Sequence, residues 1–160
     1  MVRLRVLTKN DWPLWREVRL AALGEAPQAF KARLAHWHSG GEERWRARLE
    51  MPDAYNIIAL LGGRTVAMAS GLAGGSGAYE LRSVWVSPQA RGRGVGDRLI
   101  EAVETWALQS GATTLKLAVI PGNEPAIALY QRNGFVVAGD LGDLLSDGVT
   151  RERVMVKALR

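Results

Sequence analysis

Cysteine is absent from this chain of 160 residues, which excludes disulfide bonds, cysteine nucleophiles and cysteine-based metal sites. Long apolar runs are also missing, so no stretch is long enough to span a bilayer. The N-terminal residues MVRLRVLTKNDW lack the continuous apolar core of a signal peptide. No internal repeat or low-complexity segment occurs. These absences favour a cytoplasmic protein with no membrane partner and no metal.

The composition is that of an ordinary globular protein, with 48% apolar and 23% charged residues. A chain of this length is most simply one domain, over residues 1–160, with a sizeable core. The net charge of +5, from 21 Lys and Arg against 16 Asp and Glu, favours an anionic ligand. The basic residues are scattered, and the one dense cluster is Arg91, Arg93 and Arg98. We therefore consider nucleic acid an unlikely partner.

Periodicity and turn residues predict a mixed α/β chain, with hairpins early and β-α-β crossovers late. The predicted strands are 2–7, 57–61, 65–72, 78–86, 115–119, 135–138 and 153–159. The predicted helices are 11–23, 42–50, a long one that starts at 95 and stops before Ser110-Gly111, and 124–132. The acidic segment 140–148 is predicted to be a loop between the last two strands.

The stretch from Glu80 to Trp106 organises the chain: a strand, a turn at Pro88, a loop that alternates arginine with glycine, and a long amphipathic helix. The first amides of a helix have no partner inside it, and the helix dipole favours negative charge there. Glycines in such a loop let an anion approach the backbone closely. The Walker pattern and the Rossmann spacing are both absent, which argues against a kinase or a dehydrogenase.

Two motifs make this anion site specific. The loop RGRGVG, residues 91–96, matches the pattern Q/R-x-x-G-x-G/A, and NEPAIALYQRNGF, residues 123–135, matches N-x-x-A-x-x-L-Y-x-x-x-G-F. With one helix and one strand between them, they resemble the GNAT superfamily of acyl-CoA-dependent N-acyltransferases. The resemblance implies the GNAT fold: a central mixed, mostly antiparallel sheet with splayed fourth and fifth strands, flanked by helices. It also implies acetyl-CoA as co-substrate.

The resemblance assigns the coenzyme site residue by residue. The backbone of the fourth strand would pair with the pantetheine arm, the glycine loop would hold the pyrophosphate, and Asn123 would cap its helix, contact the arm, or do both. The predicted coenzyme-binding residues are Val84, Trp85, Val86, Arg91, Gly92, Arg93, Gly94, Val95, Gly96, Asp97, Asn123 and Tyr130.

Two residues are candidates for the chemistry. Tyr130 matches the family tyrosine that supplies a proton or a hydrogen bond to the departing sulfur; otherwise it is a buried aromatic residue. Glu80 is either the general base, acting through water in some family members, or a surface carboxylate paired with Arg82. Strand parity predicts that Glu80, Arg82, Val84 and Val86 share one face of the sheet. By analogy, the backbone N–H of Val86 stabilises the oxyanion.

The acceptor cannot be identified from the sequence beyond a primary amine of a small molecule or a protein. His36 and His38 fall in the region that forms the acceptor wall in the family, but neither is assigned a catalytic role. The nearby aromatic residues line the acceptor groove or, for most of them, fill the core; they are Trp12, Trp15, Phe30, Trp37 and Trp45. A non-catalytic acyl-CoA sensor and a basic nucleic-acid-binding domain are the alternatives, and a homodimer is left open.

Overall fold

The computed structural model describes residues 2–25, 41–145 and 147–159, with the backbone alone at 140 and 141. Its strands are β1 (Val2–Val6), β2 (Ala54–Leu61), β3 (Arg64–Leu72), β4 (Ala78–Val86), β5 (Thr114–Val119), β6 (Val136–Leu144) and β7 (Arg151–Ala158). Its helices are α1 (Trp12–Glu25), α2 (Glu42–Glu50), α3 (Val95–Gln109) and α4 (Glu124–Arg132). None of the described helices combines the length and hydrophobicity needed to cross a bilayer.

The strands form one sheet in the order β1-β2-β3-β4-β5-β7-β6. Every neighbouring pair is antiparallel except β4 and β5, which are parallel. The parallel pairing joins only residues 78–80 to residues 114–116. Beyond that point β4 continues without β5 beside it, so the two strands splay apart. The predicted fold class, a mixed and mostly antiparallel sheet with splayed fourth and fifth strands, is confirmed.

Helices cover both faces of the sheet, and each face has its own apolar cluster. On one face, α3 buries Leu99, Ile100 and Val103, and α4 adds Tyr130. The predicted apolar stripe of α3 is thus confirmed at its buried positions. On the other face, α1 and α2 bury their tryptophans against β3 and β4; this cluster includes Trp15, Val18, Trp45, Met68 and Trp85.

The last hairpin differs from the prediction. β6 extends to Leu144, so part of the acidic segment 140–148 is strand rather than loop. The pairing of β6 with β7 is irregular, with Leu141 opposite Arg153 and Leu144 opposite Arg151. β6 is the outermost strand. Acidic side chains can point to solvent from such a strand while the backbone pairs, which is why polarity alone mispredicted this segment.

A bulge in β4 overturns the predicted parity. Met68 lies opposite Trp85, but Ser70 lies opposite Arg82, so β4 contains one extra residue at this point. Ser83, inside the bulge, has a φ of 56°. An extra residue reverses the alternation of side chains beyond it.

Consequently the four residues predicted to share a face do not. Val84 and Val86 pack on the α3 side, as does Leu81. Glu80 and Arg82 flank Leu81 and therefore point to the opposite side, where both act electrostatically on Arg48 of α2.

Candidate active site

The loop before α3 turns sharply through glycines and exposes the helix N-terminus. Gly92 and Gly94 have φ values of 77° and 75°, a region that favours glycine. The first intrahelical hydrogen bond runs from the N–H of Arg98 to the carbonyl of Gly94, at 3.2 Å. The amides of Val95, Gly96 and Asp97 therefore have no partner within the helix. This is the geometry of an anion site.

A cleft of about 480 Å³ runs from this loop to the splayed end of β4. Of the residues predicted to bind the coenzyme, all but Arg93 are among the described residues that line it. Arg93 is exposed. The cleft is also lined by Glu25, Ala90, Pro125, Ala126, Leu129 and Arg132. The glycine loop, β4 and α4 are thus brought together on one concave surface, which the sequence predicted only through the family resemblance.

The backbone of Val86 points into the gap between β4 and β5. On the β3 side, the N–H of Ser87 donates to the carbonyl of Val66 at 2.7 Å. Because backbone groups of successive strand residues point to alternate edges, the N–H and carbonyl of Val86 face away from β3. The carbonyl accepts a hydrogen bond from Nε of Arg91 at 2.9 Å. The N–H is oriented toward the space where a ligand strand could pair.

Arg91 is held by protein groups rather than pointing freely into the cleft. Besides its bond to Val86, its Nη2 lies 2.5 Å from Oε1 of Glu25 at the end of α1. The same carboxylate oxygen accepts a hydrogen bond from Nε1 of Trp85 at 3.0 Å. Glu25 therefore ties α1 to β4 and to the glycine loop. Glu25 could not be predicted from the sequence, because nothing near it marks a partner 60 residues away.

Asp97 is also engaged by protein groups. Its carboxylate accepts hydrogen bonds from Nδ2 of Asn133 at 2.8 Å and from Arg132 at 3.2 and 3.3 Å. The hydrogen bond from Asn133, followed by that from Arg132, lowers the pKa of Asp97 below its usual value. The side chain thus joins α3 to the end of α4. At this position the backbone N–H, rather than the carboxylate, is suited to an anion.

Asn123 precedes α4, but its side chain makes no capping hydrogen bond. The helix instead starts with the N–H of Ile127 bonded to the carbonyl of Asn123 at 3.1 Å. Of the two roles considered for this side chain, capping is therefore wrong. The side chain lines the cleft and is available to a ligand.

Tyr130 lies at the back of the cleft and is only 8% exposed. Its ring packs edge-on against Phe135, with a centroid separation of 6.1 Å. Burial raises the pKa of the Tyr130 hydroxyl above its ordinary value of 10. The group therefore stays protonated throughout the neutral range. A buried hydroxyl that keeps its proton is suited to donate to a developing anion, so Tyr130 is both the buried aromatic and the candidate donor.

A second cavity, of about 490 Å³, adjoins the cleft on the side of α1 and α2. The two share four lining residues: Val84, Asn123, Ala126 and Tyr130. Tyr130 thus stands where they meet. The second cavity carries many charges among its described lining residues, namely Arg19, Arg48, Glu80, Arg82, Lys116, Asp143 and Glu152.

Glu80 lies in this second cavity, paired with Arg82. The distance from Nε of Arg82 to Oε1 of Glu80 is 2.8 Å, and the Glu80 side chain is 29% exposed. The ion pair considered in the sequence analysis therefore exists. Glu80 nevertheless stays a candidate base, because its carboxylate lines the same cavity as Tyr130.

Arg19 and Arg48 were missed by the sequence analysis. They belong to α1 and α2, four and three residues after Trp15 and Trp45, and so lie on the apolar faces of those helices. An arginine on the apolar face of a predicted helix was the signal in the sequence that could have identified both residues. Of the aromatic residues considered as a wall, Trp15 and Trp45 are each 1% exposed and belong to the core. Phe30, His36, Trp37 and His38 lie outside the described residues.

Comparison with known proteins agrees with this geometry. The model of the acetyltransferase (GNAT) family matches residues 15–135. The chain is 35% identical over 97 residues to an IAA acetyltransferase of Azospirillum brasilense, covering 59% of this chain and 62% of the relative. It is 36% identical over 80 residues to a thialysine N-epsilon-acetyltransferase of Mus musculus, covering 50% of this chain and 44% of the relative. The matches thus span less than two thirds of either relative.

Among solved structures, an acetyltransferase of the GNAT family from Streptococcus pneumoniae superposes with a TM-score of 0.81 and 18% identity, covering 99% of both chains. The ribosomal-protein-S18-alanine N-acetyltransferase of Escherichia coli gives a TM-score of 0.71 at 22% identity, covering 99% of this chain and 94% of the other. These two show the shared fold. With the family match over residues 15–135, they establish that this chain belongs to the GNAT acetyltransferase family.

Proposed function

We propose that this protein is an N-acetyltransferase that moves the acetyl group of acetyl-CoA directly to a primary amine, in one domain over residues 1–160. The observation that carries the proposal is the meeting of two cavities at Tyr130. One has the glycine loop and helix N-terminus suited to a pyrophosphate, and the other has the charged groups suited to a polar acceptor.

The cleft fits coenzyme A in three respects. The free amides of Val95, Gly96 and Asp97 suit the pyrophosphate. The outward backbone of Val86 suits an extended arm that pairs as a strand would. The amide side chain of Asn123 is available to the same arm. Acetyl-CoA would supply the activated acetyl thioester.

The chain's own groups account for the proton and charge movements. The amine nitrogen forms a bond to the acetyl carbon while the bond from that carbon to sulfur breaks. The Val86 N–H would stabilise the negative charge that develops on the acetyl oxygen. Tyr130 would supply a proton or a hydrogen bond to the departing sulfur, and Glu80, directly or through water, would take a proton from the amine. No covalent enzyme intermediate is needed, in keeping with a chain that has no cysteine.

The relatives' names do not select an acceptor. One names IAA, another the N-epsilon group of thialysine, and a third, 29% identical over 129 residues, mycothiol. The identity of the amine therefore has to come from this chain's own cavity.

A binding titration tests the coenzyme half of the proposal. Acetyl-CoA should raise the unfolding temperature, and the added stability should grow with the logarithm of its concentration to about 2.7 kcal/mol at 100 times its Kd. If acetyl-CoA gave no stabilisation while DNA or RNA bound with steep salt dependence, the nucleic-acid-binding alternative would replace it.

An amine panel tests the chemical half. Thiol release from acetyl-CoA should rise with at least one primary amine and yield the N-acetyl product. Tight coenzyme binding without thiol release across a broad panel would support the non-catalytic sensor instead.

A further inference from the structure

Arg48 lines the second cavity, and two of its donor nitrogens are unused. Nε and Nη2 of Arg48 are buried and have no hydrogen-bond partner among the described residues. The guanidinium lies over the ring of Trp15, 5.5 Å from its centroid, which positions the group without using its N–H donors. Buried donors without acceptors are costly and rare in folded proteins. Because the side chain of Arg48 lines the cavity, a ligand bound there is one source from which acceptor atoms could come.

Two more arginines lie close to Arg48. Arg19 reaches the β4 bulge, with Nη1 3.4 Å from Oγ of Ser83. Burial, and then the charge of Arg48, lowers the pKa of Arg19 to about 10. Burial, followed by the charge of Arg82, lowers the pKa of Arg48 to about 10 as well. Arg48 is thus repelled by Arg19 and by Arg82, with a smaller opposing effect of Glu80, and an anion beside Arg48 would relieve that repulsion.

The charges of the cavity select the kind of anion. Its described lining residues include four cations, Arg19, Arg48, Arg82 and Lys116, and three carboxylates, Glu80, Asp143 and Glu152. One positive charge is therefore in excess, which matches a carboxylate better than a doubly charged phosphate. A planar carboxylate also fits the two-pronged donor arrangement of a guanidinium.

We propose that Arg48, with Arg19 beside it, binds a carboxylate of the acceptor, so that the substrate class is an amine that also bears a carboxylate, as amino acids do. This inference rests on the proposed function and names its acceptor. The carboxylate would lie against Arg48 and the amine would lie toward Glu80 and Tyr130, which line the same cavity. A bare polyamine would leave the donors of Arg48 unpaired and would add to the positive charge.

Matched acceptors test this without any mutation. Amino acids whose amine is in the α or the ω position are compared with their amides and their decarboxylated amines, by thiol release. We expect kcat/KM to be about 10- to 100-fold higher for the carboxylate-bearing member of at least one matched set, the range expected for hydrogen bonds to a charged group. Equal or better use of the neutral members would overturn the inference while leaving the acetyltransferase function intact. No turnover with any amine, despite coenzyme binding, would contradict the proposed function and the inference with it.

Substitutions assign the effect to Arg48. Arg48→Met keeps a long side chain over Trp15 but removes the charge, and it should raise KM for the preferred acid about 10- to 100-fold while leaving KM for acetyl-CoA unchanged. Arg48→Lys should recover part of the loss. Arg44→Gln, at an exposed position of the same helix, is the control and should change neither constant. If Arg48→Met slowed acidic and neutral acceptors equally, Arg48 would be structural and the inference wrong.

A binding measurement separates recognition from catalysis. The preferred amino acid, added without acetyl-CoA, should raise the unfolding temperature of the wild-type protein and of Arg44→Gln. It should raise that of Arg48→Met much less at the same concentration. Equal shifts in wild type and Arg48→Met would mean that the carboxylate binds elsewhere.

Discussion

The hydroxyl of Tyr130 combines burial with a position between two cavities. It is 8% exposed and lines both the cleft and the second cavity. Burial that raises its pKa keeps the proton in place, so the hydroxyl remains a hydrogen-bond donor for the negative charge that would develop on a departing sulfur. The same residue is therefore part of the core and part of the proposed chemistry.

Tyr130→Phe should remove the donor and little else. We expect kcat to fall about 100-fold, within the range of general acid catalysis. The KM for acetyl-CoA should change less than twofold, because the ring that packs against Phe135 is kept. Steady-state kinetics with the best amine of the panel measures both constants. A large loss of coenzyme affinity with unchanged turnover would show that the hydroxyl binds the coenzyme instead.

Two features favour glycine at position 94: its positive φ and the open space beside it. Its φ of +75° is unfavourable for other residues, although an added Cβ would meet no described atom within 4 Å. The space beside it is open for a ligand. Gly94→Val should therefore abolish coenzyme binding, since the branched side chain would lie where the pyrophosphate approaches.

Gly111 provides the matched control, because its φ is +93° and an added Cβ there also meets nothing within 4 Å. Gly94→Ala and Gly111→Ala should each lose about 1 kcal/mol of unfolding free energy. Only Gly94→Ala should also weaken acetyl-CoA binding, by more than tenfold in a calorimetric titration. Similar affinities for the two variants would remove the pyrophosphate from this loop.

At the scale of an element, the β4 bulge places the side chains of the two halves of one strand on opposite faces of the sheet. On its N-terminal side Glu80 and Arg82 face α1 and α2, and on its C-terminal side Val84 and Val86 face α3. In the proposed function, the same nine-residue strand would therefore supply side chains for the acceptor and backbone for the coenzyme. The bulge depends on Ser83, whose φ of 56° is uncommon for a residue with a Cβ.

Ser83→Gly should preserve the bulge, because glycine adopts positive φ readily. Ser83→Val should destabilise the fold by about 2 kcal/mol, since a β-branched residue is strongly disfavoured there. For a chain of this size that corresponds to a fall of about 4–8 °C in the unfolding temperature. Calorimetry of the two variants measures the difference. Equal unfolding temperatures would argue against the positive φ at Ser83.

At the scale of the molecule, the sheet is open between two of its central strands. β4 and β5 are paired at residues 78–80 and 114–116 and separate beyond, while α3 and α4 cover one face and α1 and α2 the other. The opening between the strands is where the cleft and the second cavity meet. Because Tyr130 is buried at this opening, we also expect the stability of the fold to fall at alkaline pH.

The sign of that dependence follows from Tyr130. Its pKa in the folded state lies above the ordinary value of 10, so above about pH 10 the unfolded chain loses this proton first. The contribution of Tyr130 is fully present below pH 10, and stability falls as the pH rises beyond it. Denaturant titrations between pH 8 and 11 should show a smaller decline for Tyr130→Phe than for the wild type. Parallel declines would mean that Tyr130 ionises normally.

The sequence predicted most elements because their signals are local. The period of α3, the turn at Gly62-Gly63 and the Asn133-Gly134 end of α4 all depend on residues within a few positions of one another. Most of the residues that line the cleft were predicted through two motifs whose spacing is specific. Where prediction failed, at the β4 bulge and in β6, the outcome depended on a neighbouring strand that the sequence does not reveal.

The sequence by itself determined the order of the elements, the glycine turn before α3 and the candidacy of Tyr130, because glycine spacing and helical period depend on residues close together in the chain. Only the tertiary structure decided which face Glu80 occupies, that Glu25 holds Arg91, and that Arg48 keeps buried donors beside a cavity. These facts depend on contacts between residues far apart in the chain. Packing, rather than local preference, selects such contacts, because burial energy is shared across the whole sheet.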